Sequence, residues 1–458
     1  MKYLFKLTPF LLLGGWLLTL TACSNTSQQP TAIVKGKITV DSTVDPTGDF
    51  SDIGVTITHK DSAGAQSDTL FHALTDSLGN FSGEAHFNDR GIYPMHITRY
   101  GNRIANSALV LEDQDTVTIT GELPDFNKNH TIKSHENTAM NELNRVQRSF
   151  NRVALYIQAG KIKGDSLKME LDKWSNLFWS VYQDNKNTLA GRQAIVQSLN
   201  LLQSWNGSKM MKRIRAVQDQ DELADIAARY GTDYLSKSEG LDPTLQYLDS
   251  LQTITDDNDQ SMRIAMEKIK LLYDSARVET AANQLASFKK TYANQKAAKQ
   301  WAQTIGFDLA NLAPGDSIPN FSFKTSKGQA VARDSLLGHP YILEISYLSN
   351  DLYKEQFDRT LAIYYIYKNF GLNVITIPLD DSQVTINAFF DERAKPWPVA
   401  KADAFDKQKL LKRFNVTNVP TRFLVNSQGR IVRKYVGPEF DDVIRGLRKV
   451  IKQTKESS

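Results

Sequence analysis

The chain has 458 residues, 41% hydrophobic and 23% charged. This is close to the globular average, so most of it can bury a core, and the length allows about two to four domains. The formal net charge is +4 with no long block of Lys and Arg, which argues against nucleic acid as a partner. The single cysteine, Cys23, excludes a disulfide framework and leaves no pair of thiols for dithiol exchange.

Residues 1–22 read as an export signal. Lys2 and Lys6 form a basic start and Phe10–Leu18 a short apolar run. The next segment, Leu20-Thr21-Ala22-Cys23, resembles the lipobox of bacterial lipoproteins, an apolar residue and two small ones ahead of a cysteine. The resemblance implies cleavage before Cys23, lipidation there, and a membrane partner held through several acyl chains, where one chain alone binds only marginally. Cleavage would remove Lys2 and Lys6 and bring the chain nearer neutrality. The alternative is an ordinary secretory signal or uncleaved anchor with Cys23 incidental. Ser24, and the absence of acids just after Cys23, point to the outer membrane with the protein facing the periplasm. No other stretch approaches the roughly 18–20 apolar residues that span a bilayer. Residues 23–31 form a polar tether.

Residues 32–122 read as a β-sandwich. Ile33–Val40 and Gly54–Thr58 alternate, and turn clusters at 61–64, 76–80 and 89–91 separate the runs. Asp76-x-x-Gly79-Asn80-Phe81 is similar to a hairpin of small exported β-sandwich modules. Ala108–Ile119 resembles the last strands of the domain found ahead of thioredoxin-like domains in many Gram-negative lipoproteins. Residues 123–136 read as a polar linker. From 137 to 305 the apolar period becomes helical: Met140, Leu143, Val146, Phe150, Val153 and Ile157 share one face, and Leu167, Leu171, Trp174, Phe178 and Val181 another. Such aromatic stripes form either a ligand groove or, more commonly, core.

Residues 306–458 alternate strand and helix. Ala313-Pro314-Gly315 through Phe323 resembles the entry of the TlpA/ResA and peroxiredoxin (AhpC/TSA) branch of the thioredoxin superfamily, and Val419-Pro420-Thr421 ahead of Arg422–Val425 resembles its proline loop. The resemblance implies a thioredoxin-like α/β fold with a cis Val419–Pro420 bond. It also places the two redox cysteines, in an ungapped match, at Asn350 and Tyr353, which can supply neither a thiolate nor a resolving thiol. Glu344, six residues before Asn350, falls where thioredoxins keep a buried acid; it is either that acid, or a residue facing solvent or a lysine. Arg422 either reads a bound peptide or is a solvated strand residue. Asp380-Asp381 is a turn initiator or a cation ligand, and His130 and His135 lack the surrounding ligands of a zinc site.

The expected architecture is therefore multidomain α+β: an N-terminal β-sandwich, a helical middle domain and a C-terminal thioredoxin-like α/β fold. No catalytic residue, metal or cofactor is expected. The expected function is binding of a peptide or envelope protein in a groove of Ser349, Asn350, Tyr353, Val419, Pro420 and Thr421, by backbone hydrogen bonds. The rival is a thiol-disulfide or peroxide-handling protein that borrows a partner's cysteine; a third reading puts the function in the helical domain. The lipobox carries its own test. Cys23→Ala should free the protein from membranes after a high-salt wash, and retention of the variant would remove the lipid anchor.

Overall fold

The computed structural model describes residues 29–60 and 67–456, so the export signal and Cys23 lie outside the described residues. The chain divides into two compact units at Ser198/Leu199.

In the first unit, seven strands alternate buried and exposed side chains: β1 (Thr31–Val40), β2 (Ile53–Lys60), β3 (Ser67–Leu74), β4 (Asn80–His86), β5 (Gly91–Arg99), β6 (Asn102–Leu111) and β7 (Thr116–Leu123). They build two four-stranded sheets, ordered β4-β1-β7-β8 and β3-β2-β5-β6, where β8 is Thr131–Lys133. Val34, Ile38, Val117 and Ile119 of one sheet and Ile57, Met95 and Leu109 of the other are buried in a single core, which is the expected sandwich. The turn before β4 explains the Asp76/Gly79 motif. The Asp76 carboxylate accepts from the Leu78 and Asn80 N–H groups at 2.9 and 2.8 Å, and Gly79 sits at φ +83°. A Cβ there would lie 2.2 Å from the Ile38 carbonyl oxygen.

The stretch expected to be a linker, 123–136, belongs instead to the sandwich. A single helical turn, α1 (Phe126–Asn129), buries Phe126 completely, and β8 pairs with β7. Its polar composition conceals one anchoring aromatic. His130 is also committed there, with its ring nitrogens 2.8 Å from the Phe126 carbonyl and 2.9 Å from the Ser107 hydroxyl.

The helical middle region is divided between the two units. The first helices, α2 (His135–Gln158) and α3 (Gly164–Asp184), belong to the sandwich unit. Ser134 caps α2, and buried Asn137 pairs with both backbone groups of Val110, at 2.8 and 2.9 Å. Trp174 and Phe178 of α3 are buried against Phe150 of α2, so these aromatics are core. After α4 (Leu189–Gln203) come α5 (Gly207–Arg215), α6 (Ala224–Ser238), α7 (Leu241–Gln252), α8 (Asn258–Asp274), α9 (Val278–Thr291) and α10 (Lys296–Asn311). These pack in the same unit as the C-terminal α/β domain. None of the described helices is long and apolar enough to cross a membrane.

That domain starts with a short hairpin, β9 (Ser322–Lys324) and β10 (Ala330–Ala332). The central sheet is β12-β11-β13-β14, formed by β11 (Tyr341–Ser346), β12 (Asn373–Pro378), β13 (Thr421–Val425) and β14 (Ile431–Val436). β11 runs parallel to β12 and antiparallel to β13, so a βαβ crossover through α11 (Asp351–Tyr367) is followed by a hairpin. Beyond α12 (Gln383–Asp391) and α13 (Lys407–Arg413), the chain ends in α14 (Val443–Glu456). One face of the sheet packs Ile342, Val374, Leu424 and Tyr435 with Phe357 of α11 and Leu447 of α14. The other packs Leu343, Ile345 and Phe423 with Leu312, Leu410 and Phe414.

On that second face the helices are fastened by a buried ion pair. Lys434 of β14 donates to both oxygens of Asp308 of α10 at 2.9 Å, and Asn415 donates to Asp308 at 2.8 Å. Burial pushes the Asp308 carboxyl up and the Lys434 ammonium down, each opposed by the other's charge. Tyr273 of α8 adds a hydrogen bond to the Leu312 carbonyl at 2.9 Å.

The Asp76 turn supplies a prediction. Gly79→Ala forces a side chain into positive φ and against a backbone oxygen, a strain of about 1–3 kcal/mol. It should lower the denaturant midpoint of the sandwich unit; an unchanged midpoint would contradict the turn geometry.

Candidate functional site

β11 is buried along its whole length, yet carries a carboxylate at its centre: Glu344 is 0% exposed. An isolated buried charge is prohibitive, so partners must surround it. The strand register supplies two of them, because Glu344 lies opposite Thr376 on β12 and Arg422 on β13, all three on the same face. The crossing helix supplies two more. Tyr353 and Thr360, with Gln356 between them, sit at helical spacing on the buried side of α11.

The result is a closed polar cluster. Glu344 Oε1 accepts from Arg422 Nε at 2.7 Å and from Thr360 Oγ1 at 3.2 Å. Glu344 Oε2 accepts from the Tyr353 hydroxyl at 3.1 Å and Thr376 Oγ1 at 3.0 Å. Trp397 Nε1 donates to Thr376 Oγ1 at 2.9 Å, and Arg422 Nη1 donates to Gln356 Oε1 at 2.6 Å. Gln356 in turn donates to the Gly437 carbonyl at 3.3 Å. The guanidinium carbon of Arg422 lies 4.1 Å from the centre of the Phe440 ring, a cation–π contact beside Nη2, which has no hydrogen-bond partner among the described residues. Burial, and next the neighbouring carboxylate, push the Tyr353 phenol well above its ordinary value, so it stays protonated and donates.

These contacts revise the expected site. Tyr353, expected in the binding groove, is 0% exposed and drawn inward by Glu344. Neither open reading of Arg422 holds, because it is buried as the counter-charge of Glu344. Glu344 is buried, as one of its two readings had it, but it faces an arginine. Asn350 caps α11, its side-chain oxygen accepting from the Tyr353 N–H at 3.0 Å. Pro420 and Thr421 are buried, and the Val419–Pro420 bond is cis. At the surface remain Ser349, the half-buried Val419 and an unanticipated ring, Tyr347, 39% exposed in the turn before α11. Asp380 holds that turn by accepting from the Leu348 N–H at 2.9 Å, and Asp381 pairs with Lys407. The Val419 N–H and C=O make no hydrogen bond among the described residues, so both can pair with an added strand.

Sequence reasoning missed Gln356, Thr360, Thr376 and Trp397. The signal for two of them is present: Tyr353, Gln356 and Thr360 recur on the same face of α11 as Phe357, polar groups where only apolar ones are expected. Among the described residues no three His, Cys, Asp or Glu side chains cluster to hold a metal ion.

The cluster makes a stability prediction. Arg422→Ala leaves the Glu344 charge buried and unpaired and should cost about 3–5 kcal/mol. The double variant Glu344→Leu/Arg422→Met removes both charges and should cost markedly less in equilibrium denaturation. If the double change costs as much as the sum of the single ones, the ion pair does not organise this core.

A family model described as Thioredoxin-like matches residues 345–431. The chain is 22% identical over 147 residues, 32% of its own length and 80% of the relative's, to the thiol-disulfide oxidoreductase ResA of Bacillus subtilis. Among solved structures it aligns with the thioredoxin domain of a thiol-disulfide oxidoreductase from Bacteroides vulgatus at 19% identity, covering 31% of this chain and 99% of that one, with a TM-score of 0.29. A thiol:disulfide interchange protein of the thioredoxin family from Chlorobium tepidum gives 20% identity, 30% and 97% coverage and a TM-score of 0.27. The C-terminal part of the chain is a thioredoxin-like domain related to thiol-disulfide oxidoreductases.

Proposed function

We propose that this protein is a cell-envelope lipoprotein, anchored through Cys23, whose thioredoxin-like domain performs no dithiol exchange and instead binds an extended segment of a peptide or envelope protein. The observation that carries the reading is the fate of the two positions matched to the redox cysteines. Asn350 is the N-cap of α11, and Tyr353 is a buried donor to Glu344, so both are committed to holding the structure. A thiol chemistry needs a nucleophile at an accessible helix N-terminus, and this helix N-terminus offers an amide and a backbone.

What remains free on that side suits binding. Val419 presents an unpaired N–H and C=O, and Tyr347 presents a ring beside the same sheet end. Strand addition draws its affinity from such main-chain groups and its selectivity from the neighbouring side chains. Aromatic residues are enriched where proteins meet.

Two measurements test this. The purified chain should reduce insulin no faster than a buffer control; turnover above it would overturn the redox-inactive reading. Tyr347→Ala should reduce capture of partners from envelope extract by about tenfold, a loss of roughly 1.4 kcal/mol, with the melting temperature nearly unchanged. Undiminished capture would move the binding face elsewhere.

A further inference from the structure

A groove separate from the thioredoxin-like face lies between α9 and α10, with a volume of about 240 Å³. Its floor is apolar: Phe288, Tyr292, Ala298 and Ala302 are all buried side chains, and the Phe288 and Tyr292 rings lie 4.8 Å apart. The small alanines of α10 leave the space that the aromatic rings of α9 do not fill.

The rim is cationic. Lys289 and Lys299 stand on the two sides, and neither makes an ion pair among the described residues. Lys289 lies across Gly306, with Nζ 3.3 Å from where a Cβ would stand, so the missing side chain of Gly306 lets the ammonium rest over α10. Lys290 and Lys296 are further cations of the same segment, and residues 280–307 contain no Asp or Glu at all. The Tyr292 hydroxyl has no hydrogen-bond partner among the described residues.

An apolar slot flanked by two unpaired lysines selects for an apolar side chain flanked by carboxylates. The slot is smaller than the roughly 300–1,000 Å³ of pockets that enclose small molecules, and its size suits one inserted side chain. We infer that the α9–α10 groove docks an acidic segment of a partner protein, with one large apolar side chain seated between Phe288 and Ala302 and its flanking carboxylates on Lys289 and Lys299. This surface is independent of the Val419 face, so the two succeed or fail separately. Attraction across such a rim speeds association and weakens with salt.

The test uses the full chain and a fluorescein-labelled hexapeptide, Glu-Glu-Phe-Leu-Glu-Glu, in fluorescence anisotropy. Saturable binding is expected, weakening as salt rises, with no binding of Lys-Lys-Phe-Leu-Lys-Lys. Lys289→Glu/Lys299→Glu should weaken binding by at least about tenfold, a size typical of lost charge complementarity, without altering the melting temperature. Ala302→Trp should fill the slot and abolish binding; should it fail to fold, the lysine pair still decides. Absence of saturable binding, equal binding of the lysine peptide, or an unchanged affinity in the double lysine variant would each overturn the proposal.

Discussion

A carboxylate at the centre of the innermost strand dictates the arrangement around it. Glu344 has no access to water, and ionised groups of this kind lose several kcal/mol of hydration that only close partners can offset. Four side chains from three elements supply them: Thr376 from β12, Arg422 from β13, and Tyr353 and Thr360 from α11. Each is useful only if its element sits at one register and one rotation. A slip of β13 by one residue would turn Arg422 to the opposite face and leave the carboxylate without its counter-charge. The polar cluster thus fixes the relative placement that the surrounding apolar contacts, being non-directional, leave looser.

The sheet carries a second buried pair on its opposite face. Because alternate residues of β14 point to opposite sides, Tyr435 lies with the Glu344 cluster while Lys434 reaches Asp308 of α10. This pair fastens α10, the last of the helices after residue 198, to the α/β domain. A helix docked by apolar contact alone can slide, but a carboxylate held by an ammonium and by Asn415 has one position. Asn415 precedes the Val419–Pro420 loop in the same connection, so the helical region also sets where that loop begins.

Much of this was legible in the sequence, and the failures share a cause. Strand alternation, the helical period after residue 137, the α/β pattern of the C-terminal part and its proline loop are all carried by local spacing. What was misread depends on tertiary partners. Nothing local distinguishes Phe126, which turns a polar stretch into part of the sandwich, from an exposed ring in a linker. Arg422 reads as a solvated cation until β11 is laid beside it, and Tyr353 reads as a surface aromatic until its hydroxyl is seen to meet Glu344. The clue that was available is the pairing of opposite charges on strands that are otherwise uncharged, since Glu344 and Arg422 each interrupt a buried run.

The same cluster bears on the proposal that this domain performs no dithiol exchange. A thiolate beside the Glu344 carboxylate would place two negative charges together in a low-dielectric interior, which raises the thiol's pKa and disarms it. A phenol at position 353 reverses the relation, because its proton is a donor the carboxylate needs, and burial keeps that proton in place. Asn350 does the equivalent work at the helix start, accepting the Tyr353 N–H that a cysteine thiol would satisfy only weakly. Both side chains therefore hold α11 on the sheet, at the positions that the family resemblance matches to the redox cysteines. Neither touches the unpaired N–H and C=O of Val419. Stability and strand pairing draw on different atoms here, so rigidity of the interior leaves open the main-chain groups that the proposed binding needs.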